Sequence, residues 1–205
     1  AIERASHLST EHPIFGDWRA LHAERLSEAT AALLDVEGIA DLVLGGSVAR
    51  NAHWPLSDID IVPIWRAGCI DDAALDACQA RLVDWWAASG RAQNLDVGWI
   101  RFDEDEVRDA IAAPSDYAIA RFDDPRWFHG TDKTHGGRSA CGGRLATDFA
   151  AWATRIRFDD DVRHARSTHW LQRSEAAIAE ATRLATADPV HATLALRDAC
   201  RSLRL

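Results

Sequence analysis

The strongest constraint on this chain is the stretch GGSVARNAHWPLSDIDI, residues 45–61. The alternation Asp58-Ile59-Asp60-Ile61 predicts a strand, because side chains two apart on a strand point the same way. Asp58 and Asp60 then sit side by side on an apolar element and repel. Such a pair is costly unless the carboxylates reach solvent, share a proton or hold a cation between them. Just upstream, Gly45-Gly46-Ser47 ends a short apolar run over 41–44, which reads as a strand giving way to a helix.

The flanking patterns supply the rest of a mixed sheet with helices. Residues 17–36 carry apolar side chains at helical spacing, with Asp17 as N-cap. Residues 71–89 form a second amphipathic helix closed by Gly90, and NLDVGWIRF, residues 94–102, reads as a third strand. Asp103 and Glu106 fit a capping box for a helix that stops before Pro114. HGTDKTHGGRSACGGR, residues 129–144, is glycine-rich and polar and reads as a mobile loop or linker. Beyond it, helices are predicted over 146–158 and 167–184 and after Asp188-Pro189, enough for a small bundle. The expected layout is an α/β (α+β) domain over 1–130, then a linker and helical domain over 131–205.

Composition narrows the partners. At 205 residues, with 47% apolar and 27% charged side chains, the chain can bury a sizeable core. Its formal charge of −9 disfavours sequence-independent binding of nucleic acid and suits a cationic small molecule or a protein. The four cysteines form no C-x-x-C pair, which argues against a zinc site or a disulfide framework. No run approaches the length of a membrane span, and AIERASHLSTEHP lacks the blocks of a secretory signal, so the cytoplasm is the expected compartment.

The chemistry rests on a third acid. Asp96 lies between Leu95 and Val97 in a segment that otherwise reads as buried. If Asp58, Asp60 and Asp96 converge, a hard oxygen cluster results that suits magnesium, with substrate phosphates completing the shell. A glycine turn entering a helix would offer backbone N–H groups to those phosphates. Taken alone, the aspartate pair reads as a solvated strand end; the three features together favour a catalytic site.

The order Gly46-Ser47, ten residues, Asp58-x-Asp60 and a later strand aspartate resembles the nucleotidyltransferase superfamily that includes DNA polymerase beta. The segment from Asn94 to Thr131, with Asp124-Pro125-Arg126 and Gly130, is similar to the transferase domain of PII uridylyltransferase. The resemblance covers roughly residues 38 to 130. It implies a small mixed nucleotidyltransferase sheet, with Asp58, Asp60 and Asp96 as catalytic metal ligands for magnesium or manganese. It also implies nucleotide contacts from Gly45, Gly46, Ser47, Arg50 and Ser57, with Arg50 offering a bidentate fork to phosphate. The implied activity is transfer of a nucleoside monophosphate from an NTP, ATP above all, to a hydroxyl of a small molecule or protein, with release of pyrophosphate. Asn51 stands where such loops often carry glycine, although asparagine tolerates left-handed backbone. A nucleotide-binding regulatory module or a toxin-antitoxin component, either with a degenerate site, is the alternative, and homo-oligomers are compatible with both.

Other residues carry bland expectations beside sharper ones. Arg163 and His169 have a loose ribonuclease-like spacing but read as a solvated helix face. His129 and His135 read as solvated loop histidines that could contact acceptor or metal. Asp159-Asp160-Asp161 reads as a helix start. Trp65 and Trp99 are expected in the core, at most one of Trp85 and Trp86 faces it squarely, and Trp54, in the loop between the two motif halves, could contact a base or acceptor.

Overall fold

The computed structural model describes residues 17–202. The N-terminal stretch read above for an export signal lies outside the described residues. The order is α1 (Trp18–Leu34), β1 (Ile39–Leu44), α2 (Gly46–Ala49), β2 (Ile59–Trp65), α3 (Asp72–Ala88), β3 (Leu95–Asp96), β4 (Phe102–Asp103), α4 (Glu104–Ala112), α5 (Pro114–Ile119), α6 (Pro125–Thr134), β5 (Arg138–Ser139), α7 (Arg144–Phe158), α8 (Asp160–Leu184) and α9 (Pro189–Ser202).

β2 is central in a mixed α/β layout. It pairs antiparallel with β1, which pairs antiparallel with β5, while β3 and β4 both run parallel to β2 at opposite ends of its other edge. Every residue of β2 is buried because both sheet faces are covered. The odd positions Ile59, Ile61 and Trp65 pack with Leu33, Leu75, Leu82 and Trp86 under α1 and α3. The even positions Val62 and Ile64 pack with Phe102, Trp127, Phe149 and Trp152 under α6 and α7. Period-two alternation therefore sends Asp60 to the α6–α7 side of the sheet.

Local signals act as the sequence predicts at several ends. Asp17 accepts from Ala20 N, and Asp103 and Glu106 form a reciprocal capping box. Asp159 accepts from Val162 N to start α8, and Asp188 accepts from His191 N beside Pro189. Trp86 is fully buried and Trp85 exposed.

Four expectations are corrected. The third strand is broken in two, since Gly98 takes φ +53° and the chain between β3 and β4 turns so that the Val97, Gly98 and Ile100 carbonyls all meet the Arg101 guanidinium. Arg101 is anchored in turn by Asp72 at 2.7 Å. Trp99 sits on this turn and is 58% exposed, not in the core.

The glycine-rich segment is not a free linker. Its first part completes α6, and its second part is β5, hydrogen-bonded to β1. A Cβ on Gly130 would collide with the Phe102 ring, and one on Gly137 with the carbonyl oxygens of Thr134 and Leu44. Glycine here permits close packing; composition alone suggested flexibility.

The expected three-helix bundle does not form either. α7 seals the sheet, where Phe149, Trp152 and Ile156 are buried, whereas α8, which starts at Asp160 and not at Ser167, pairs with α9 as a two-helix hairpin. Among the described residues no helix is long and apolar enough to cross a membrane.

Candidate metal and nucleotide site

The carboxylates converge because of strand register. Asp60 in β2 and Asp96 in β3 are direct partners in the parallel pair, so their side chains leave the sheet on the same side. Asp58 precedes β2 by one residue and, two positions from Asp60, shares that side. Oxygen atoms from Asp58, Asp60 and Asp96 all lie within 4.8 Å of one another. Asp60 is buried, and the other two are half-buried.

Burial raises the Asp60 pKa above the ordinary carboxylate value; Asp58 and Asp96 add to the rise, and Lys133 opposes it. The Lys133 Nζ lies 2.5 Å from Asp96 Oδ2 and 3.1 Å from Asp60 Oδ1. Burial works against its ammonium, but the hydrogen bonds and charges of Asp96 and Asp60 prevail and hold its pKa above the ordinary lysine value. Lys133 was missed in the sequence, where the polar run around it read as a linker. The signal that could have found it is Pro125 after Asp124, a helix start that carries α6 through Lys133.

The glycine turn is pressed against the acids. Gly46 adopts φ +61°, and a Cβ there would overlap the Asp60 carboxylate. A Cβ on Gly45 would meet the Lys133 carbonyl oxygen. Both positions therefore require glycine for contact, and Gly46 for conformation as well. α2 is a single turn, with Ser47 half-buried at its start. Asn51 takes the left-handed conformation, φ 55°, that its side chain tolerates.

A cavity of about 410 Å³ opens beside the acids, lined by Gly46, Arg50, Trp99, Ile100, His129, Asp132 and Lys133. Arg50 is exposed and donates to the His135 carbonyl at 3.2 Å. His129 lies in α6, not in a loop, with its ring edge-on to Trp99 at 5.9 Å. It also lines a second cavity of about 640 Å³, walled by Phe122, Phe128 and Trp170 with Asp123 and Arg173, between α6 and the α8–α9 hairpin.

Other predicted residues line neither cavity. Ser57 is buried, and its Oγ accepts from Trp54 N at 3.0 Å to close the loop before β2. Trp54 is 59% exposed and lines neither cavity. Burial, helped by Arg50, lowers the His135 pKa. Arg126 pairs with Glu106 at 2.7 Å and donates to the Arg101 carbonyl, bracing the chain between β4 and α6. Arg163 pairs with Asp160 in its own helix, while His169 turns to Asp123, so the two do not meet.

Three acidic oxygens, a desolvated carboxylate among them, form a donor set suited to a hard divalent cation. Comparison with protein-family models, curated proteins and solved structures finds no match for this chain.

Proposed function

We propose that this chain is a metal-dependent nucleotidyltransferase with a polymerase beta-like catalytic sheet, moving a nucleoside monophosphate from an NTP, ATP foremost, to a hydroxyl and releasing pyrophosphate. The observation that carries the reading is the register of Asp60 against Asp96, which gathers them with Asp58 beside a glycine turn and a basic cavity. Magnesium or manganese held by Asp58, Asp60 and Asp96 would supply charge neutralisation at the reacting phosphate. The rest of the task falls to the protein. Gly45 and Gly46 let the turn pack directly against the Lys133 carbonyl and the Asp60 carboxylate, which holds its backbone beside the acids. Arg50 and Lys133 put positive charge on the cavity wall, as phosphoryl-type transfer requires more positioning and charge compensation than covalent help.

The second cavity, reached past His129, supports a small-molecule acceptor. Its volume lies within the range of about 300–1,000 Å³ common for such sites. The deciding experiment is the melting-temperature shift with each NTP, with and without magnesium, for the wild type and Asp58→Asn/Asp60→Asn. A ligand at a hundredfold excess over its dissociation constant adds about 2.7 kcal/mol of apparent stability. A shift that requires metal and disappears in the double variant, with pyrophosphate released on addition of acceptor, is the expected result. No shift with any NTP would refute the proposal.

A further inference from the structure

Resting on that reading, we propose that Lys133 is an internal cation that occupies the carboxylate cluster before metal arrives, and that metal binding requires its ammonium to leave. Lys133 Nζ bridges Asp96 Oδ2 at 2.5 Å and Asp60 Oδ1 at 3.1 Å, using oxygens from two of the three acids that would hold a metal. A divalent cation needs those oxygens at bonding distance, and an ammonium beside it would be both a steric and a Coulombic competitor.

The surroundings fix the backbone and leave the head free to move. Lys133 lies in the last turn of α6, next to fully buried Thr134, whose Oγ1 donates to the Gly130 carbonyl at 2.7 Å. Its own carbonyl is packed against Gly45. Lys133 nonetheless lines the 410 Å³ cavity, which gives its flexible four-carbon stem room to carry the ammonium off the acids. Arg50 and Gly46 border the same cavity, which places the departing charge where a polyphosphate would lie. Lys133 thus performs two duties in sequence: it offsets the repulsion between Asp60 and Asp96 in the metal-free protein, and it then adds a positive charge on the phosphate side.

Binding of manganese alone tests this, measured by electron paramagnetic resonance on the full chain without nucleotide. Lys133→Met removes the competing charge and is expected to bind Mn2+ about tenfold tighter or more, while Lys133→Arg binds no tighter than the wild type. In chelator, Lys133→Met is expected to melt below the wild type and to gain more from Mn2+, a pattern that separates release of competition from misfolding. Equal or weaker Mn2+ binding by Lys133→Met, with binding still lost in Asp58→Asn/Asp60→Asn, overturns this inference and leaves nucleotidyl transfer standing. Mn2+ binding that survives the double substitution unchanged overturns both.

Discussion

Asp41 and Asp60 lie on adjacent strands, face the same side of the sheet and are both buried, at 4% and 8% exposure, yet their surroundings are opposite. Asp41 is consumed by the fold. It accepts from Leu42 N and Ala146 N, each at 2.8 Å, and its oxygens also meet the Cys141 thiol and the Ser139 hydroxyl. Gly143, the N-cap of α7, has no side chain to cap with, so Asp41 serves that helix from β1 beneath it. Asp60 meets two further acids and one lysine. A carboxylate satisfied by backbone N–H groups is structural; one held among like charges is kept at a cost that a cation can relieve. That difference carries the functional reading further than burial or charge alone.

Neutralising one acid of the cluster should break the comparison most. Asp96→Asn is expected to lower metal affinity by about 100-fold or more, above the 10–100-fold typical for residues behind the ligands, without loss of melting temperature in chelator. Titration of Mn2+ with parallel thermal melts checks both halves; a variant that unfolds would make Asp96 structural, like Asp41.

Gly46→Ala should couple the two properties. The left-handed backbone costs a side chain about 1–2 kcal/mol, and its Cβ also displaces the Asp60 carboxylate, so stability and metal affinity are expected to fall together. Denaturant unfolding with and without Mn2+ reads both.

Asp41→Ala is the mirror test. Leaving Ala146 N unpaired in the interior should cost about 1–3 kcal/mol in urea unfolding, while the metal-induced stabilisation stays as in the wild type. Loss of that stabilisation would show that the two carboxylates are not separable.

The smallest effect concerns the loop that leads into Asp58. His53 packs on His22 and Trp18 at centroid distances of 5.3 and 5.1 Å. Burial first, then His22, Arg19 and Arg138, lowers its pKa below the ordinary 6.5. The unfolded chain then takes up the proton first, so this contribution to stability is complete above about pH 6.5 and is lost as pH falls towards the lowered value. His53→Gln should flatten the slope of melting temperature between pH 6.5 and 5, and an unchanged slope would assign it to other groups.

Much of the fold was legible because local rules acted without contradiction. The capping box at Asp103 and Glu106, Pro189 after Asp188, and the helical spacing of α1 and α3 each depend on a few neighbouring residues. The errors share one cause. NLDVGWIRF has the composition of a strand, but Arg101 gathers three carbonyls and breaks it; the glycines after His129 resemble a linker but allow α6 and β5 to approach Phe102 and β1. In each case tertiary contacts and not composition decided the outcome: Arg101, turned back on its own segment, is held by Asp72, and the glycines meet Phe102 and β1.

The sequence by itself determined that Asp58 and Asp60 share a face and that a glycine turn precedes them, since both follow from backbone periodicity and sterics over a few residues. Only the tertiary structure decided that Asp96 stands in register with Asp60, that Lys133 arrives from α6 to bridge them, and that Asp41 is taken up by α7. Those outcomes depend on strand pairing and helix packing across 36 to 105 positions of chain, where no local preference can act.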